Sequence, residues 1–135
     1  MASELTLEIV TPFGLSFSDT VTSCTIPGEL GEFQVLRGHA AMVSLVAIGP
    51  LKIETQDGAF IHMAVSGGYC EVKDNVVKVM VESAEKAEDI DVARAEAAKK
   101  RAEERLHSKK ENVDYERARA ALLRAINRLK VAHLH

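Results

Sequence analysis

The chain has 135 residues, 47% of them hydrophobic and 27% charged, with a formal net charge of −3. That length holds one compact domain, or a domain of about 85 residues with an appended element, and the composition excludes general disorder and a wholesale nucleic-acid binder. No apolar run approaches the roughly 20 residues of a membrane-crossing helix, and the N-terminus lacks the basic and apolar regions of a secretory signal, so no direct membrane insertion is expected and the chain should stay in the cytosol.

Up to about Glu82 the sequence consists of short β-prone pieces. Leu5, Leu7 and Ile9 alternate with Thr6 and Glu8, which predicts a strand with one buried face. Further strands are predicted over Val21 to Ile26, Phe33 to Leu36, Met42 to Ile48, Leu51 to Glu54, Phe60 to Val65 and Tyr69 to Val72. A last one carries Val77, Val79 and Val81. Turn-formers separate them at Pro12 with Gly14, Pro27-Gly28, Gly49-Pro50, Asp57-Gly58, Gly67-Gly68 and Asp74-Asn75. Short strands with frequent turns and no helical period predict an antiparallel β-sandwich or flattened barrel over residues 1–84, because each sheet must bury its apolar face against another. Cys24 and Cys70 stand alone in β-like apolar stretches and read as small buried hydrophobes rather than a disulfide or metal pair.

Beyond Ser83 glycine and proline vanish, and Ala, Glu, Lys, Arg and Leu dominate. Asp89 is a candidate cap for a helix beginning at Ile90, with Asp91 in its first turn. A polar interruption from His107 to Val113 precedes a second helix opening near Asp114. Ala95, Ala98, Ala102 and Leu106 make an apolar stripe on the first helix, and Tyr115, Ala118, Leu122, Ala125, Leu129 and Ala132 make one on the second. The fold class predicted is therefore α+β, with an antiparallel two-helix hairpin over 85–135 following the sandwich. A seam made largely of alanine removes little apolar area from water, so the hairpin should be held moderately and be able to detach without unfolding the strands.

Arginines form a second pattern. Asp91, Arg94, Ala98, Arg101 and Arg105 share one face of the first helix, and Arg117, Ala121, Arg124 and Arg128 share one face of the second. If the closed hairpin brings these faces together the guanidiniums need an anion, and a triphosphate offers oxygens that suit planar donors. The competing reading is a solvated face, or one that meets the acids of a partner. No phosphate-cradling G-x-x-x-x-G-K-[ST] loop and no G-x-S-x-G elbow occurs, and His39, His62, His107, His133 and His135 show no metal-ligand spacing beyond the terminal His133-x-His135 pair, so neither catalysis nor a metal is expected of this chain.

Several segments resemble the epsilon subunits of F-type ATP synthases. Glu8-Ile9-Val10-Thr11-Pro12 is similar to that family's opening strand and turn, and Gly31 to Ala40 resembles its GELGIL-PGHAP segment, with departures at Phe33, Gln34 and Arg37, and at Ala41-Met42 just beyond. Ser66-Gly67-Gly68-Tyr69 with Glu71-Val72 resembles SGGxxEV, and Ile90-Asp91-Val92-Ala93-Arg94-Ala95 resembles the I/L-D-x-x-R-A motif that opens the first tail helix.

The resemblance implies a non-catalytic rotor subunit of a proton-translocating ATP synthase, peripheral on the cytoplasmic face of the bacterial plasma membrane. Its partners would be the gamma subunit, the c-ring and, with the tail extended, the catalytic alpha/beta head, where the tail would inhibit ATP hydrolysis. No cofactor is required, and ATP is expected as a regulatory ligand of the hairpin. By position its ligands would be Glu85, Asp91, Arg94, Ala95, Arg101, Arg124 and Arg128, while Glu32 and His39 would face gamma and the c-ring. The alternatives are a free-standing ATP-sensing module and, weaker because acids are interleaved and aromatics scarce, a nucleic-acid module.

Overall fold

The structure, a computed structural model, describes residues 4–108 and 113–134. Seven strands come first: β1 (Leu5–Thr11), β2 (Gly14–Gly28), β3 (Gly31–Leu36), β4 (Met42–Val46), β5 (Gly49–Thr55), β6 (Phe60–Lys73) and β7 (Val76–Lys86). A 3-10 turn (Ala87–Asp89) leads to α1 (Val92–Leu106) and α2 (Tyr115–Ala132). The strands run β1-β7-β6-β4-β2-β3, with β5 bridging β2 and β6 and with β1 also paired to β2, so the sheet folds over on itself as a flattened barrel. All pairings are antiparallel except that of β1 with β7.

The core follows the predicted alternation. Leu5, Leu7 and Ile9 of β1 and Val77, Val79 and Val81 of β7 point inward together with Ile26, Leu51, Ile53 and Val72. Cys24 and Cys70 are buried and free, and burial pushes their thiols up to about 12 and about 11; the neighbouring Cys70 adds to the effect on Cys24, and Glu71 to that on Cys70. This core consists entirely of sandwich residues.

Three local expectations are corrected. Phe60 to Val72 is one continuous strand, and Gly67-Gly68 lie within it rather than in a turn, because a Cβ on Gly68 would stand 1.9 Å from the Met80 carbonyl oxygen of the paired strand. Pro27-Gly28 and Gly49-Pro50 likewise sit inside the ends of β2 and β5. Asp89 belongs to the 3-10 turn, and the cap of α1 is Asp91, whose carboxylate accepts from the Arg94 N–H at 3.0 Å. Asp114 caps α2 as expected, accepting from the Arg117 N–H at 3.1 Å. Residues 109–112 of the predicted interruption, and His135, lie outside the described residues. The Tyr115 hydroxyl donates to the Ser108 carbonyl at 2.5 Å, joining the end of α1 to the start of α2.

Buried Ala95 and Ala102 of α1 and Ala118 and Ala125 of α2 let the helices approach closely. The hairpin meets the sandwich over a small patch, where Val131 and Ala132 cover Ala64 of β6 together with Ala87 and Ile90 of the segment between β7 and α1.

Candidate functional site

The predicted arginine faces converge on a cavity of about 410 Å³ between the hairpin and the sandwich. Arg94 and Ala98 of α1 line it with Ala121, Arg124 and Arg128 of α2, and β6 and β7 supply Ser66, Ser83 and Glu85 as its floor. Small side chains at 98 and 121 leave the space that the longer arginines surround. Ser66 and Ser83 face each other in register, their hydroxyls 2.6 Å apart.

Three guanidiniums here face one carboxylate. Arg128 Nη2 donates to Glu85 Oε2 at 3.1 Å, while Nε stands 2.8 Å from Oε1 but off its own N–H axis, a charge contact rather than a hydrogen bond. Arg94 and Arg124 have no ion pair among the described residues. The site therefore keeps uncompensated positive charge beside two hydroxyls, an arrangement suited to an anion with several oxygens.

Of the residues predicted for a ligand, Glu85, Arg94, Arg124 and Arg128 are brought together. Asp91 caps α1, Ala95 is buried, and Arg101 is exposed on α1 outside the cavity lining. Arg105 and Arg117 meet nearer the helix turn, where with Val113, Asp114 and Ala118 they line a separate space of about 390 Å³. Glu32 and His39 do not cluster: Glu32 is at the start of β3, and His39 lies beyond its far end with Nδ1 2.7 Å from the Ala40 carbonyl.

Two features escaped the sequence reading. Asn127 of α2 is buried, lines the cavity and donates from Nδ2 to the carbonyls of Gly49 at 2.9 Å and Val65 at 3.4 Å. The available signal was an asparagine in mid-helix, a position it does not favour. The other is an outward apolar row that crosses five strands in register, Leu45 to Tyr69 to Met80 to Val10 to Leu15. Leu45 is 61% exposed, Tyr69 48% and Leu15 64%, and a groove of about 370 Å³ lined in part by Pro12 and Gly68 runs beside them. Contiguous exposed apolar side chains of this size mark an interaction surface.

Residues 4–87 match the family described as ATP synthase, Delta/Epsilon chain, beta-sandwich domain, and residues 88–133 match its long alpha-helix domain. The chain belongs to the ATP synthase epsilon chain family. It is 46% identical over 132 residues to the ATP synthase epsilon chain of Desulforamulus reducens, covering 98% of this chain and 99% of that one. To the epsilon chain of Pelotomaculum thermopropionicum it is 56% identical over 126 residues, covering 93% of each. Among solved structures it is similar, with a TM-score of 0.82 and 28% identity, to a chain of the Euglena gracilis mitochondrial ATP synthase, covering 98% of this chain and 82% of that one. A chain of the Tetrahymena thermophila enzyme, at 16% identity and a TM-score of 0.56 over 98% of this chain and 96% of that one, shares the fold.

As an epsilon chain the protein is a subunit of ATP synthase, a membrane-bound complex, which decides against a free-standing module. No helix among the described residues is long and apolar enough to cross a membrane.

Proposed function

We propose that this chain is a non-catalytic rotor subunit whose sandwich, ending with β7 at Lys86, couples gamma to the c-ring, and whose helical tail beyond it restrains ATP hydrolysis and is held in its docked form by ATP. It sits peripherally on the cytoplasmic face of the bacterial plasma membrane. The Euglena neighbour comes from an assembly of OSCP, F1 and c-ring, which supports a place between F1 and the c-ring. The carrying observation is that the apolar row and the hairpin seat share no residue. The row serves as the hold on gamma, with Glu32 and His39 as polar contacts toward gamma and the c-ring. The hairpin then leaves its seat without loosening that hold and, extended, reaches the catalytic alpha/beta head.

ATP is proposed to occupy the arginine cavity, its phosphates taken by Arg94, Arg124 and Arg128. Glu85 steers Arg128, Asp91 and Ala95 set the start and packing of α1, and Arg101 is an outer contact. A ligand that binds only the docked form stabilises it by RT ln(1 + [ATP]/Kd), about 2.7 kcal/mol at a hundredfold excess over Kd. Abundant ATP thereby releases the brake and scarce ATP sets it.

Thermal melting of the isolated chain with and without ATP tests the site. The wild type should gain several degrees in ATP, and Arg94→Ala and Arg124→Ala should lose that gain; an unshifted wild type removes the ATP site. Deletion from Glu88 onward should raise hydrolysis by the assembled enzyme, and unchanged hydrolysis removes the brake.

A further inference from the structure

Asparagine disfavours a helix interior, yet Asn127 occupies one in the last third of α2 and is only 8% exposed. Few buried polar side chains occur among the described residues: Ser23 and Ser66, both on strands, and Asn127, the one that reaches from the hairpin into the sandwich. Its amide nitrogen has two hydrogens, and both find carbonyls, that of Gly49 on β5 and that of Val65 on β6. Those two residues are register partners, so one carboxamide spans adjacent strands at a fixed point.

The neighbours of Asn127 give this contact a consequence. Arg124 lies one turn earlier and Arg128 follows directly; both line the cavity, and Arg128 holds Glu85 of β7. The anion site is therefore complete only while α2 keeps one register over the sheet. Apolar contact between Val131, Ala132 and the alanine and isoleucine beneath them is non-directional and tolerates sliding. The paired hydrogen bonds of Asn127 do not.

We propose that Asn127 is a positioning residue that pins the docked hairpin, so that removing its amide donors weakens both docking and the anion site while leaving the sandwich intact. The proposal rests on the reading that the hairpin leaves its seat. The energetics act on one state only. In the undocked form the carbonyls of Gly49 and Val65 take water, whereas a docked form without the amide leaves them facing a side chain that cannot donate. Asn127→Asp keeps the shape, removes both donors and sets a carboxylate against two carbonyl oxygens.

Hydrogen exchange on the full chain, with ATP titrated as the probe, tests this. Asn127→Asp should speed exchange of the α2 amides about tenfold or more and raise the ATP concentration for half-maximal protection by a similar factor, since apparent affinity falls with the docked fraction. Saturating ATP should restore protection by mass action, and β7 amides should exchange as in the wild type. Leu123→Ala, on the exposed side of α2, should change none of these. If the wild type responds to ATP and Asn127→Asp is protected equally, the pin is wrong and the mobile hairpin stands. If α2 is as protected as β7 in wild type and variant alike, with and without ATP, the mobile hairpin falls and the pin with it. Loss of β7 protection in Asn127→Asp would overturn the pin by showing one undivided core.

Discussion

Deleting the same two methyl groups at two places should distinguish a hairpin resting on a platform from a hairpin fused into it. Val79 and Val131 are both fully buried, but Val79 lies within the strand core and Val131 in the small patch under α2. At about 0.8 kcal/mol per buried carbon, either Val→Ala change removes about 1.5 kcal/mol before any cavity term. For Val79→Ala this loss falls on unfolding of the sandwich. For Val131→Ala it falls on docking, and because the seam is thin the proportion lost is large. Val131 itself supplies about 2 kcal/mol, Ala132 under 1, the Asn127 hydrogen bonds about 1 and the partly exposed Glu85–Arg128 pair, discounted for solvent screening, about 1. Ordering the side chains takes back part of this, which leaves a few kcal/mol, within reach of a ligand at hundredfold excess. Val131→Ala should thus shift docking about tenfold toward release. Native-state hydrogen exchange reads the two transitions separately: Val131→Ala should speed α2 amides and leave β7 amides unchanged, while Val79→Ala should speed β7. Equal acceleration of β7 by both variants would refute the separation of seam from core.

Three further outcomes are expected. Met80→Glu places a charge in the middle of the exposed apolar row, and should weaken association with gamma at least tenfold while leaving the melting temperature of the isolated chain within about two degrees; pull-down at matched concentrations checks it. Gly68→Ala should destabilise the sandwich by more than about 3 kcal/mol in urea titration, since the new carbon would overlap the Met80 carbonyl of a paired strand. The raised thiol pKa values make stability fall with alkalinity. Above about pH 9 the unfolded chain releases thiol protons that the folded chain retains, so the contribution is full below that point and is lost as pH rises toward about 12 for Cys24. Urea titrations at pH 8 and 10.5 should show a smaller drop in Cys24→Ala than in the wild type.

The strands were legible where one face is buried and the other wet, because inward Leu5, Leu7 and Ile9 and inward Val77, Val79 and Val81 repeat with period two. The glycines misled. Gly67-Gly68 carry turn chemistry, but the cause is a close backbone approach between β6 and β7, a tertiary fact that local sequence does not contain. The helix starts two residues later than expected because Asp89 and Asp91 are chemically equal caps, and Asp89 is held in the 3-10 turn whose Ala87 packs with Ile90 under α2. Helical spacing placed Arg94, Arg124 and Arg128 together, yet it had no means of separating Arg101, which shares the face but is exposed outside the cavity lining. Asn127 and Val131 lie on a second stripe of α2, turned toward the strands. A single apolar stripe at helical spacing includes the alanines that face α1 and reaches Ala132 of the seat, but it passes over Asn127 and Val131.

The composition of the two stripes fits the proposal that the tail leaves its seat as a unit. Between the helices alanines predominate, and their small size gains close backbone packing rather than large buried area. The joint also has a cap at the start of each helix and the Tyr115 to Ser108 hydrogen bond at its tip. None of these contacts involves the sandwich, so the proposed release of the hairpin would leave them in place. Between hairpin and sandwich the contacts are few and include a charged pair and an amide, groups whose partners water can replace on release. Undocking would therefore uncover one large apolar side chain, Ile90, with Val131 and the alanines at 64, 87 and 132, and would strand no charge in a dry interior. A seam of large hydrophobes would hold the tail too firmly for a metabolite to tip, and a seam without the amide and the ion pair would leave the arginines without a fixed register.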